Sequence, residues 1–309
     1  LGLAAPAAKA QQSDQEIVAN LAAGRVLLCV TRDSIIIGAS ADNVEPGSHA
    51  PMIVPMDAAH IAVVLGAAEW VEPGSGKPPV RLDEIVSHLR GVAGHAMPIT
   101  EANEAGDIEA VGIAFLEKIR PIVARMHHPL NLKPEEPLVE LILVDYEKDY
   151  GPEAWLLSYT VRQRELENDY WDTLVMRPSF TQLYPPEKKQ PKTVVEVSYP
   201  ADPAGPTIAD LLGQNDQRLA SVRSSDPKVA QAAQQMLDGE ANKAASDPAT
   251  AFLRGALQAT SAPDAKLALA VLHENDRFDW VIASPEPLPK INDTKRDADA
   301  PTLRKPHGD

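Results

Sequence analysis

The chain has 309 residues, of which 44% are hydrophobic and 24% charged, proportions typical of a globular protein with a sizeable core. Its formal net charge of −15 repels phosphate backbones and anionic lipid headgroups, so nucleic acid is excluded as the expected partner. The single cysteine, Cys29, excludes an internal disulfide and a zinc site built from cysteines. Because Cys29 lies in an apolar run, we expect it to be a buried core residue.

The first residues resemble the end of an export signal. Ala8, Lys9 and Ala10 have the small-x-small form of a signal-peptidase site, which predicts an exported protein, periplasmic or extracellular. A flexible alanine-rich tail over residues 1–12 and a cytoplasmic location are the alternatives. The apolar stretch before this site is too short to span a bilayer and no other run is long enough, so we expect no membrane insertion.

The next segments predict a short helix and a hairpin. Residues 13–23 are predicted as a helix because Ser13 can cap it and Glu16 takes the capping-box position. Residues 25–31 and 35–39 are apolar, β-branched runs joined by a tight polar turn. Two such runs with a short turn between them are typical of a β-hairpin.

Further strands and two helices follow. Residues 52–56 and 60–66 predict a second strand pair, and their continuous apolar character indicates strands that are covered on both faces. Residues 82–96 and 108–126 have apolar side chains at helical spacing, which predicts two amphipathic helices.

The rest of the chain predicts two more hairpins in one domain. Residues 138–146 and 154–162 form the first hairpin, and 266–273 with 278–283 form the last. Residues 163–245 between them are irregular and are predicted to be an insertion. We expect a single domain over 13–284 and a disordered, proline-rich and charged tail over 285–309.

This order of elements resembles proteasome subunits and their bacterial relatives, the N-terminal-nucleophile (Ntn) hydrolases. The resemblance rests on the hairpin at 25–39, the strand pair that closes on Gly66, the central hairpin with its turn at Gly151 and Pro152, and the final helix and strand at 249–272. It implies an α+β fold in the form of a four-layer αββα sandwich, with two mainly antiparallel sheets and outer helices. Members of the family often assemble into rings.

The chain departs from this family at its catalytic positions. In the family, the first hairpin begins with a free Thr, Ser or Cys, whose own α-amine serves as the base. That position falls near Gly24, and the supporting lysine falls near Met52. The acidic residue corresponds to about Ser40, with Asp42 two positions later. The resemblance therefore implies a member that lacks its nucleophile and its lysine.

Three hypotheses of function follow. The leading one is a non-catalytic structural or assembly subunit, present as a homo-oligomer or within a protein assembly. The second is an active amide hydrolase, a peptidase or amidase, that uses displaced residues; the candidate side chains are Thr31, Ser34, Ser40, Asp42 and Arg32. The third is a ligand-binding module that uses the vacated cleft. No cofactor and no metal site is expected.

Overall fold

A computed structural model describes residues 16–41, 51–56, 60–89, 104–147, 151–185, 194–200, 206–224, 226–275 and 277–283. Every strand pair in this part of the chain is antiparallel. The seven-stranded sheet contains β1 (Val18–Ala22), β4 (Met52–Pro55), β5 (His60–Val71), β6 (Val80–Arg81), β7 (Val139–Glu147), β8 (Gly151–Tyr159) and β11 (Ser179–Tyr184). The five-stranded sheet contains β2 (Gly24–Val30), β3 (Ser34–Ala41), β12 (Val194–Tyr199), β13 (Lys266–His273) and β14 (Arg277–Ile282). The two-stranded sheet contains β9 (Val161–Glu165) and β10 (Trp171–Val175).

Six helices accompany these sheets in the described ranges. They are α1 (Leu82–Ser87), α2 (Glu104–Val123), α3 (Ile208–Gly213), α4 (Gln217–Arg223), α5 (Pro227–Leu237) and α6 (Ser246–Thr260). None of these helices combines the length and the apolar character that a bilayer crossing requires.

The predicted four-layer αββα sandwich is wrong. Strand accounts for 42% and helix for 30% of the described structure, and the strands divide into sheets of seven, five and two rather than two sheets between full helical layers. One cause is visible at Val18–Ala22, which was predicted as part of a helix. This segment pairs along β5 from Val18 opposite Val71 to Ala22 opposite Gly66, so ladder hydrogen bonds override its local helical pattern.

The predicted first hairpin is confirmed. β2 and β3 pair from Arg25 opposite Ser40 to Val30 opposite Ile35, and they occupy the middle of the five-stranded sheet, between β12 and β13. All eight residues of β3 are buried. Side chains of β2 alternate between two apolar clusters, because successive residues of a strand point to opposite faces. The hairpin is therefore covered on both faces, as its continuous apolar sequence predicts.

The middle of the chain contributes edge strands to both large sheets. β11 pairs with β8 in the seven-stranded sheet, and β12 pairs with β2 in the five-stranded sheet. The insertion at 163–245 stays a prediction. Residues 1–12, predicted as a signal remnant or flexible tail, and residues 285–309, predicted as a disordered tail, lie outside the described residues.

Gly24, at the start of β2, has a backbone conformation and surroundings that no side chain fits. Its φ is +146°, and a Cβ atom there would lie 2.2 Å from the carbonyl oxygen of Ser40. Glycine is the residue that adopts such a φ without steric cost, and here it also permits close backbone approach.

We predict that Gly24→Ala lowers the free energy of unfolding by at least about 2 kcal/mol, because it adds a backbone clash to an unfavourable φ. Gly76→Ala is the matched control: its φ is +69°, but no atom lies within 4 Å of the added Cβ. It should cost about 1 kcal/mol. Urea unfolding measures both, and equal losses for the two variants would contradict the packing argument.

Candidate functional site

The turn between β2 and β3 holds two of the candidate hydroxyl groups. The backbone N–H of Thr31 donates to the carbonyl oxygen of Ser34 at 2.8 Å, which closes the turn. The two side chains meet as well, with Thr31 Oγ1 2.8 Å from Ser34 Oγ. The structure therefore brings together two of the residues that the sequence analysis gives as candidates for a displaced catalytic residue.

Ser246, in the first turn of α6, extends this pair into a chain of three hydroxyls. Ser34 Oγ donates to Ser246 Oγ at 2.7 Å across 212 residues of sequence. The backbone supports the same contact, because the N–H of Arg32 donates to the carbonyl oxygen of Ala244 at 3.0 Å. The turn is thus fixed against the start of α6 by hydrogen bonds from side chain and backbone.

The three hydroxyls are almost completely removed from solvent. The exposed fractions are 3% for Thr31, 0% for Ser34 and 7% for Ser246. A buried hydroxyl without a partner costs free energy, and these three satisfy one another. Their mutual hydrogen bonds therefore account for the burial of these polar groups at the turn.

A nucleophilic hydroxyl also needs a base that accepts its proton, and the hydroxyl chain has few ionisable neighbours that could serve as one. Within the described residues, the one ionisable side chain bonded to the chain is Asp33, whose Oδ1 lies 3.4 Å from Thr31 Oγ1. No hydrogen bond there joins Thr31, Ser34 or Ser246 to an imidazole or an ammonium group. An activated serine or threonine requires such a base within about 2.6–3.2 Å.

Ser40 lies apart from Thr31 and Ser34, at the opposite end of β3. Five residues of β3 lie between it and Ser34, which corresponds to a distance of about 20 Å along the strand. Ser40 lines a cavity of about 10 Å³ together with Arg25 and Glu196. A space of this size holds one water molecule at most. The last candidate, Asp42, lies outside the described residues.

Glu196, beside this small cavity, is a half-buried carboxylate that the sequence did not single out. It accepts a hydrogen bond from the N–H of Ile208 at 2.6 Å, at the start of α3. Burial raises the pKa of Glu196, and the Ile208 N–H and the charge of Arg25 offset that rise in part. Its role is to satisfy the first turn of α3.

The positions near which the resemblance would place the nucleophile and the lysine are Gly24 and Met52, and Cys29 of the same hairpin is the single thiol of the chain. Gly24 has no room for a side chain, as described above. Met52 is 4% exposed and pairs with Val64 within the seven-stranded sheet. Cys29 is fully buried, and burial raises the pKa of its thiol to about 12, so the thiolate is absent at neutral pH. None of the three can supply a nucleophile or a cation.

A buried acid lies on the other large sheet. Glu140 in β7 is 8% exposed, and its Oε1 accepts a hydrogen bond from Ser158 at 3.3 Å. Its Oε2 is buried without a hydrogen-bond partner among the described residues. Burial raises the pKa of Glu140, and the Ser158 hydroxyl lowers it only in part. Local sequence does not reveal this burial, because it results from the pairing of β7 with β5 on one side and β8 on the other.

A second polar pair joins His60 and Asp145 on neighbouring strands. His60 Nε2 lies 3.2 Å from Asp145 Oδ2, a spacing that orients the imidazole ring. Asp145 is 7% exposed, and its Oδ1 has no hydrogen-bond partner in the described part of the chain. A dyad of this kind can transfer protons, but no hydrogen bond there links it to a candidate hydroxyl.

An open groove of about 620 Å³ lies beside the β2–β3 turn. It runs between α5 and the first turns of α6, and Arg32 of the turn forms part of its wall. Its volume is in the range of sites that bind small molecules or short peptides. Across the described ranges, no group of three His, Cys, Asp or Glu side chains is placed to hold a metal ion.

Comparison with known proteins assigns no family. The sequence matches no protein-family model, and no curated protein matches it. The interpretation of the site therefore rests on its geometry.

We predict that Ser34→Ala lowers the free energy of unfolding by about 1–3 kcal/mol, because it leaves the hydroxyls of Thr31 and Ser246 buried without this partner. Ser221→Ala is the control, since the Ser221 hydroxyl forms an exposed hydrogen bond to the carbonyl oxygen of Arg218. Its effect should stay within about 0.5 kcal/mol. Denaturant unfolding of both variants checks the prediction, and a Ser34→Ala loss as small as the control would contradict it.

We predict that substitution of Glu140 changes the free energy of unfolding by an amount that depends on pH. Because its pKa is raised in the folded state, folding favours the protonated acid; this contribution to stability is complete below about pH 4.5 and is lost as the pH rises through the folded-state pKa. We expect Glu140→Gln to gain stability relative to the wild type between pH 4.5 and pH 7. Glu117→Gln, at an exposed position of α2, should show no such change. Unfolding curves of the wild type and of both variants at the two pH values test this. The prediction is refuted if the difference in free energy of unfolding between Glu140→Gln and the wild type is the same at both pH values.

Proposed function

We propose that this chain is a non-catalytic protein that acts by binding, as a structural or assembly component. The observation that carries the proposal is the series of hydrogen-bonded hydroxyls formed by Thr31, Ser34 and Ser246. These hydroxyls are buried, they are bonded to one another, and they anchor a turn to a helix. Side chains used in this way are not available to attack a substrate.

The surface of the two-stranded sheet supports association. β9 and β10 pair with each other and with neither large sheet. Leu174 in β10 is 51% exposed, and Tyr170 and Leu166 between the two strands are 45% and 40% exposed. Leu166 and Tyr170 are neighbours, since the N–H of Leu166 donates to the carbonyl oxygen of Tyr170, and neighbouring exposed apolar side chains are typical of interaction surfaces. The resemblance to proteasome subunits stays a hypothesis and adds only the expectation of an oligomer.

An amide hydrolase with displaced residues is the second candidate, because Asp33 Oδ1 lies 3.4 Å from Thr31 Oγ1. If the turn opened, Asp33 could act as a base for the Thr31 hydroxyl. Against this, the contact is long for a hydrogen bond, and Thr31 is 3% exposed. A ligand-binding module is the third candidate, and the groove of about 620 Å³ beside the turn offers more room for a ligand than the cavity of about 10 Å³ at Ser40.

The test combines an activity screen with a measurement of mass. We expect the purified chain to cleave none of a panel of peptide and amide substrates, and not to react with fluorophosphonate or peptide-aldehyde probes of nucleophilic hydroxyls. We expect light scattering to give a mass above the 33.3 kDa of one chain. Turnover that Thr31→Ala abolishes would establish the hydrolase instead, and a strict monomer would contradict self-assembly.

A further inference from the structure

Within the described residues, two opposite charges without a direct ion pair line the groove beside the β2–β3 turn. Lys228 belongs to α5 and Asp247 to the first turn of α6, and both side chains are exposed. The other charged groups of the lining are already engaged. Lys243 pairs with Glu240 at 2.7 Å, Arg32 lies 3.8 Å from Asp33, and Asp226 caps α5 by accepting from the N–H of Lys228.

The walls of the groove suit a polypeptide backbone. Lys228, Gln231 and Gln235 recur every three or four residues, so they share one face of α5. The two amide side chains each offer a donor and an acceptor, which matches the alternating N–H and C=O groups of an extended chain. This face is about 10 Å long, the length of about three residues of extended peptide.

The floor of the groove is apolar and made of small side chains. Val229 and Ala232 of α5 are buried there, and Ala251 of α6 lies opposite. Alanine brings the helix backbones close to the space above them, so a bound chain can pack on the floor without displacing large side chains.

The charge pattern favours a peptide over a small anion. Inorganic phosphate requires several converging donors. In this groove the three cations of the lining are accompanied by the carboxylates of Asp226 and Asp247, and two of the cations, Arg32 and Lys243, already have acidic partners. A segment that carries one acidic and one basic residue complements both charges, with its carboxylate on Lys228 and its cation on Asp247. Complementarity of this kind determines specificity more than affinity.

We propose that the groove between α5 and α6 binds an extended segment of another protein that carries an acidic and a basic residue with one residue between them. The inference rests on the proposed function, because it gives the binding protein its binding site. It also explains why the turn is fixed so firmly to α6, since Arg32, Ala245 and Asp247 of the groove flank the buried hydroxyl chain.

The test uses the blocked pentapeptide Ac-Ala-Glu-Ala-Lys-Ala-NH2, titrated into the full isotope-labelled chain and followed by amide chemical shifts. We expect shifts centred on α5 and the start of α6. We expect Lys228→Glu to weaken binding at least tenfold. Lys118→Glu, an exposed lysine of α2 with the same change in net charge, should bind as the wild type does. Neither Ac-Ala-Ala-Ala-Ala-Ala-NH2 nor free glutamate should produce the same shifts.

Several results would overturn the inference. The first is that millimolar peptide produces no saturable chemical shift, and the second is that Lys228→Glu binds the peptide with the affinity of the wild type. The others are that the shifts lie outside α5 and the start of α6, or that free glutamate binds as well as the peptide does. A wild-type oligomer that Lys228→Glu converts to a monomer would show that a second copy occupies the groove instead. Mass spectrometry of the same samples separates this test from that of the proposed function. A bound peptide that is cleaved contradicts the non-catalytic role alone, and an intact, unbound peptide contradicts the groove alone.

Discussion

The constraint on which this structure depends is the burial of the β2–β3 hairpin, in which all of β3 and five of the seven residues of β2 are buried. The hairpin lies in the middle of the five-stranded sheet with apolar side chains on both faces, so a polar group that is buried at its turn must find a partner inside the protein. Thr31 and Ser34 find each other, and Ser34 finds Ser246. These short contacts fix the position of α6, and with α6 they fix the groove between the two helices.

The same constraint limits the chemistry. A hydroxyl becomes a nucleophile when a base accepts its proton and a substrate can reach it. Here the hydroxyls are nearly inaccessible, and in the described part of the chain the ionisable side chain that is hydrogen-bonded to them is Asp33, at 3.4 Å. The positions that would hold a nucleophile and a lysine in an Ntn hydrolase contain a glycine with no space for a side chain and a methionine within the sheet. Stability of the hairpin and catalysis by its side chains would compete for the same groups.

Local sequence predicted the elements whose pattern and packing agree. The hairpin at 25–39 is confirmed because its continuous apolar runs are buried on both faces, and the helix at 108–126 corresponds to α2. The helix predicted at residues 13–23 is wrong because Val18–Ala22 pairs with β5, a partner about fifty residues away that no local pattern reveals. The sandwich prediction failed for a related reason, since it assumed helical layers where much of the chain pairs as strands. Ser246 and Lys228 could not be predicted as neighbours of the turn, because a separation of about two hundred residues leaves no periodicity to read.

The central claim is that the hydroxyl chain is a structural connection between the hairpin and α6. A double-mutant cycle of Ser34→Ala and Ser246→Ala measures that connection directly, through the free energies of unfolding of the wild type, the two single variants and the double variant. The account predicts a coupling of at least about 0.5 kcal/mol between the two positions, with no hydrolytic activity in any of the four proteins. Additive effects of the two substitutions, together with a hydrolytic activity that Ser34→Ala removes, would contradict it.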